Sequence, residues 1–282
     1  PTGHLIGQFN LIQRGADYVA HNARNFAASD DEWTSPVAAE VGPDGALWVL
    51  DWYNYIIQHN PTPQGFSNGK GNAYETPLRD KVHGRIYRVA YRGAQPSRTM
   101  DGDLVQGLKS DNLLWRLHAQ RLIVEGRKTE MVPALLKLVE DQQVDELGLS
   151  PAAVHALWAL DGLAARESST AAAGALRHKS AAVRRAAVTL LPRDSSGTAA
   201  LLDRQLLSDP DPQVRLAALL ALSEMPPSQR AGRAILEALQ DPRNAGDRWL
   251  TDAATAAAAR HDESFLKAVL AAFRPEPAAT PS

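Results

Sequence analysis

Two rhythms of apolar and polar residues run along this chain, and one gives way to the other near residue 92. Before it, the spacing is that of strands, in which successive side chains face opposite sides. His4 to Gln13 (HLIGQFNLIQ) predicts a strand, Arg14-Gly15-Ala16-Asp17 turns it into Tyr18 to His21, and Val37 to Val41 predicts another. Gly42-Pro43-Asp44-Gly45 carries turn chemistry, since proline presets φ and glycine accepts positive φ. It leads into Ala46 to Trp52, where Leu47, Val49 and Asp51 share one face and Trp48, Leu50 and Trp52 the other. Gly84 to Tyr91 (GRIYRVAY) is the last predicted strand. Short strands joined by Gly/Asp turns suggest propeller blades or a sandwich. About ninety residues make only one or two blades where a propeller takes at least four, so on that reading the neighbouring blades are missing.

Beyond residue 92 the apolar positions follow helices and the sequence repeats. WRLHAQRLI, AAVHALWAL, VRRAAVTLL, VRLAALLAL and LTDAATAAA start at 115, 152, 183, 214 and 250, which lie 37, 31, 31 and 36 residues apart. That period marks a solenoid of helical hairpins, and the pattern resembles HEAT repeats. Turn and capping residues stand ahead of the motifs, as in Ser150-Pro151, Asp209-Pro210-Asp211-Pro212 and Asp241-Pro242. Second helices are predicted at Glu130 to Glu140, about Ser169 to Leu176, Thr198 to Leu207, Arg230 to Leu239 and Glu263 to Phe273. Ala187, Ala218 and Ala254 suit close helix approach. The fold class is therefore mixed, β then α: a terminal β-propeller blade segment over 1–95, a linker over 96–108, an α-solenoid over 109–274 and a tail over 275–282.

Composition narrows the function classes. Of 282 residues 44% are hydrophobic and 22% charged, and the formal charge of -2 gives no global electrostatic case for nucleic acid or anionic lipid. No run approaches a membrane span. Cysteine is absent, which excludes disulfides, thiolate metal sites and a covalently attached c-type haem within this chain. Both ends read as cut from something longer: there is no initiator Met, and Arg274 to Ser282 is Pro/Ala/Thr-rich.

The run SPVAAEVGPDGALWVLDWYNYIIQHNPTP, followed by GKGNAYETPLRDKVHGRIYRV, resembles the end of the β-propeller in the membrane-bound-dehydrogenase-type proteins of planctomycetes and verrucomicrobia. That propeller is similar to the one of quinoprotein glucose/sorbosone dehydrogenases. The resemblance implies a periplasmic or otherwise exported protein and an oxidoreductase acting on a carbohydrate or polyol, with Ca²⁺ or PQQ in the full-length protein. It implies a propeller followed by HEAT-like repeats, often with a c-type cytochrome domain. The CxxCH motif of that domain is missing here, and no quinone-binding residue is identified by motif.

The polar residues at the strand exit are the candidate ligand-facing set: Asp51, Tyr53, Asn54, His59 and Asn60, with His83 and Arg85 at the last strand. Strand ends line the mouth of a propeller channel, and Asp51 and Asn54 offer oxygens to Ca²⁺. The competing reading is structural: Asp51 caps turn amides while Asn54 and His59 tie down the long loop that follows. Tyr53 or Tyr55 could stack on a sugar. Gly65 to Asn72 departs from a phosphate-cradling motif and reads as a turn. Arg184 and Arg215 recur at one repeat position, either as a basic stripe for an acidic partner or as braces to Asp and carbonyl groups of the next repeat. The solenoid's concave face is the expected seat of a protein partner. Two functions stay open: a fragment of a dehydrogenase-like protein, or a non-enzymatic scaffold with a β cap.

Overall fold

The computed structural model describes residues 3–55, 64–65, 67, 82–93 and 100–273. His59 and Asn60 lie outside the described residues. The chain divides into two units: one holds most of the β-structure together with Ser110–Trp115, the other holds the helices together with Gln13–Tyr18.

In the β unit, β1 (Leu5–Arg14) pairs with β2 (Asp17–Ala28) as a two-stranded ribbon, and β3 (Pro36–Val41), β4 (Leu47–Asp51) and β5 (Arg85–Val89) form a three-stranded antiparallel sheet in that order. β2 is far longer than the predicted Tyr18 to His21. The β3–β4 turn is closed by Gly42 N–H donating to Ala46 O and Gly45 N–H to Gly42 O, with Gly45 at φ 79°. Asp44 accepts from Ala46 N–H, the Trp48 indole and Arg88. Those bonds, the Trp48 bond first and Arg88 next, hold its carboxyl down at about 2.

The predicted two faces of β4 are real. Val49 is 1% exposed and Asp51 is 3% exposed, while Trp48, Leu50 and Trp52 are exposed. Cross-strand pairing puts Ile86 opposite Leu50 and Glu40 and Arg88 opposite Trp48, so the open face of β4 continues across the sheet. The propeller-blade expectation differs from what is seen. Among the described residues there is a ribbon of two strands and a sheet of three, neither closed into a barrel, and no four-stranded blade. The long ribbon pairs with itself, which leaves β3 and β5 as edges.

The helical unit starts earlier than expected. α1 (Leu104–Leu108) falls inside the stretch read as linker; Asp103 caps it and Leu104 and Leu108 are buried. In chain order the successive helices of the repeats are α2 (Leu113–Glu125) and α3 (Val132–Glu140), α4 (Pro151–Gly162) and α5 (Ser168–Ala175), α6 (Ala181–Leu190) and α7 (Ser195–Asp203), α8 (Pro212–Ser223) and α9 (Gln229–Gln240), and α10 (Arg248–Arg260) and α11 (Asp262–Ala272). First helices stack in the order α4, α6, α8, α10, and α9 stacks on both α7 and α11. The sequence motif is a register of burial. Its fifth residue is a buried alanine in all five repeats (Ala119, Ala156, Ala187, Ala218, Ala254), its ninth is a buried apolar residue, and its seventh faces solvent. Small side chains let the helices close up, as ridge-into-groove packing requires. Gly232 takes this furthest: a Cβ there would sit 2.3 Å from the Phe265 nitrogen of α11.

Capping follows the short polar residues. Asp194 accepts from Ser196 and Gly197 N–H, and Asp211 from Gln213 and Val214 N–H. α10 begins after Asp247, which accepts from Trp249 and Leu250 N–H. Asp241-Pro242 is not its start; Asp241 holds Arg243 instead.

Candidate functional site

The β4 exit gathers most of the described candidate residues, and Asp51 is its centre. Its Oδ1 accepts from Ser35 N–H at 2.6 Å and Tyr53 N–H at 2.9 Å, and its Oδ2 accepts from the Tyr87 hydroxyl at 2.8 Å. The carboxylate thus ties three segments together: the entry to β3, the exit of β4 and the middle of β5. Ser35, itself buried, donates from its hydroxyl to Asn54 O at 2.7 Å. Asn54 is buried against this frame.

An aromatic and cationic cluster covers the exit. Tyr53 is in the left-handed region at φ 50°, a conformation that costs a non-glycine residue energy and that the Asp51 bond to its N–H helps hold. The Arg85 guanidinium lies 3.4 Å from the Tyr53 ring centroid, and Trp33 packs tilted against Tyr53 at 5.8 Å and Tyr55 at 6.0 Å. Arg85 Nη1 also donates to Asp31 and to the Tyr87 hydroxyl, both at 3.3 Å. The Tyr87 bond, against a smaller effect of burial, raises the Arg85 pKa above its ordinary value. His83 is exposed ahead of β5.

This geometry brings Asp51, Tyr53, Asn54 and Arg85 together in structural roles. Ca²⁺ takes six to eight oxygen ligands, and the Asp51 oxygens already accept from three donors of the protein. Among the described residues no group of three His, Asp or Glu side chains is placed to hold a metal ion. The described residues therefore do not fit the Ca²⁺ centre expected at Asp51 and Asn54. Trp33, Ser35 and Tyr87 were not legible as members of this cluster: they stand 16 to 36 residues from Asp51, and only strand pairing brings them in.

The expected partner-binding arginines are braces. Arg184 forms a bidentate pair with Asp209, Nε to Oδ2 at 2.8 Å and Nη2 to Oδ1 at 2.7 Å, and its Nη1 donates to the carbonyls of His178 and Lys179. Arg215, 4% exposed, repeats the design: Nε donates to Asn244 Oδ1 at 2.9 Å and Nη1 to the carbonyls of Asp209 and Pro210. Burial and then the Arg243 charge lower the Arg215 pKa. Each guanidinium fastens the turn before its own helix to the turn before the next first helix. The donors Nε, Nη1 and Nη2 of Arg184 and Nε and Nη1 of Arg215 are engaged inside the array.

His155, His178 and His261 are engaged in the same way. His155 Nδ1 meets Gln120 Oε1 at 2.7 Å, His178 Nε2 meets Asp141 O at 2.7 Å, and His261 Nε2 meets Leu222 O at 3.0 Å. Burial, with the Arg116 charge second, lowers His155 to about 4, and burial lowers His261 as well.

Comparison with known families assigns the two parts separately. Residues 168–259 match the family model of HEAT repeats. The helical region is thus an array of helical repeats that contains a HEAT match over 168–259. Residues 1–93 match a domain of unknown function (DUF7133). Neither match is to a quinoprotein dehydrogenase, and no curated protein matches the chain. No helix among the described residues is long and apolar enough to cross a membrane.

Proposed function

We propose that this chain is a protein-binding scaffold, in which the HEAT array offers a protein partner a run of stacked helices. The β unit serves as a companion module whose open sheet face is covered by further β-structure. What carries the reading is the division of labour in the array: the recurring Arg, Asp and His residues are consumed in bracing one repeat to the next. That leaves the outward positions of the helices to vary for recognition. HEAT repeats often mediate protein interaction, and the family match runs from α5 to α10.

The blade geometry, a carbohydrate or polyol substrate, an oxidoreductase activity, PQQ and an exported location come from the resemblance in the β half. They describe the larger assembly in which this chain would work. Isolation of the full chain with its bound proteins, followed by hydrogen exchange on the purified complex, tests the scaffold reading. The expected result is a stoichiometric partner that protects amides between 116 and 273. Dye-linked oxidation of a sugar or polyol by the purified chain with PQQ and Ca²⁺, lost in Asp51→Ala, would replace scaffold by enzyme.

A further inference from the structure

The third and seventh residues of each repeat motif lie one turn apart on the first helix and so share its face. The third residues are Leu117, Val154, Arg185, Leu216 and Asp252. The seventh are Arg121, Trp158, Thr189, Leu220 and Ala256, all exposed. Because α4, α6, α8 and α10 stack side by side, and the His155–Gln120 bond sets α2 beside α4, these positions form a stripe across the array.

The stripe is not the ordinary polar outside of a solenoid. Leu117 is 52% exposed, Trp158 37% and Leu220 48%. The charges it carries through the first four repeats are both positive. Arg121 sits one repeat before Trp158 and Arg185 one repeat after it, and both are exposed. Among the described residues neither is paired with a carboxylate: Arg121 Nη2 meets His118 Nδ1 at 3.1 Å, and Arg185 Nη1 donates to Gln213 at 3.3 Å. This separates them from Arg184, the immediate neighbour of Arg185, whose charge is cancelled by Asp209. In the fifth repeat the pattern ends, because the third position is Asp252, which pairs with Arg248 at 3.3 Å.

We infer that this stripe, from Leu117 to Leu220, is the seat of an acidic amphipathic helix of the partner. The inference rests on the scaffold reading above and gives it a face and a partner chemistry. Apolar side chains of the incoming helix would cover Leu117, Trp158 and Leu220, and its flanking Asp or Glu would meet Arg121 and Arg185. A tryptophan flanked by two arginines is the composition of a binding hot spot. Charge complementarity selects the acidic helix over a basic one. Four helices packed at about 8–10 Å span roughly 30 Å, which matches a helix of about 20 residues.

The test is display selection of a random library of peptides of about 20 residues on the full chain, followed by fluorescence anisotropy with the enriched peptides. Enriched peptides should be acidic, with Leu or aromatic residues at helical spacing. Their affinity should fall at least about tenfold with Trp158→Ala and again with Arg121→Glu plus Arg185→Glu. Unchanged circular dichroism melts of these surface variants would show that the fold is kept. Peptides that bind but ignore all three changes, and respond instead to Arg233→Glu or Leu270→Ser on the second helices, overturn the stripe and leave the scaffold standing. Enrichment of basic peptides overturns the stripe as well. Failure to enrich any peptide removes the stripe, and the scaffold then stands or falls on the isolation of a bound protein.

Discussion

The two units differ in where their apolar side chains end up. In the HEAT array the fifth and ninth positions of every repeat are buried. In the β unit Val49 is enclosed, while Trp48, Leu50 and Ile86, paired across one face of the same sheet, are exposed, Ile86 at 66%. Phe9, Leu11 and Ile12 of the ribbon are exposed as well. A helical repeat buries its apolar face on the next copy of itself, so the array carries its own partners. A two- or three-stranded sheet encloses little by itself and needs a covering layer. The lesson is that equal hydrophobicity along a chain does not mean equal self-sufficiency.

The largest break in this comparison should come from separating the pieces. Residues 100–275 alone are expected to show a helical spectrum and a cooperative urea transition. Residues 1–93 alone should show no cooperative transition or should associate. Circular dichroism and sedimentation of both pieces check this, and a monomeric, cooperatively melting 1–93 would end the contrast.

Next in size is a pair of substitutions that remove one buried brace from each unit. Arg184→Ala leaves the Asp209 carboxylate, 6% exposed, without its counter-ion, and should cost the array about 3 kcal/mol in urea unfolding. Asp51→Ala strands the Ser35 and Tyr53 N–H groups and the Tyr87 hydroxyl, an expected local cost of about 1–3 kcal/mol. It should open the β4 exit to proteolysis while leaving the urea midpoint of the helical signal in place. A common shift of that midpoint in both variants would mean that the two units melt as one.

The smallest effect is acid sensitivity confined to the array. His155 is neutral in the folded state because burial disfavours its cation, so its folded pKa of about 4 lies below the unfolded value near 6.5. Between those values the unfolded chain binds more protons, and stability rises with pH. The contribution is complete above about pH 6.5 and is lost as pH falls towards 4. Native protein should therefore lose more stability between pH 7 and about 4.5 than His155→Gln does. Equal losses would show that this histidine is not the sensor.

Much of the helical half was legible along the chain. WRLHAQRLI and its four relatives set both the repeat period and the burial register, since those positions are fixed by helix geometry within nine residues. The brace reading of Arg184 and Arg215 was one of two open alternatives, and only their neighbours decide it. Asp209 and Asn244 stand 25 and 29 residues further on and are brought up by stacking. In the β half, the turn at Gly42–Gly45 and the alternating faces of β4 were legible for the same local reason. The length of β2, the order of the sheet and the Trp33–Tyr53–Arg85 cluster were not.

By itself the sequence determined where strands give way to helices and the period on which those helices repeat, because period and turn chemistry act over a few residues and leave a pattern in the chain. Tertiary structure alone decided what the polar residues do. A carboxylate such as Asp51 or a guanidinium such as Arg184 is equally suited to a ligand or a buried brace, and the choice is made by the donors and acceptors that folding carries to within 3 Å of it.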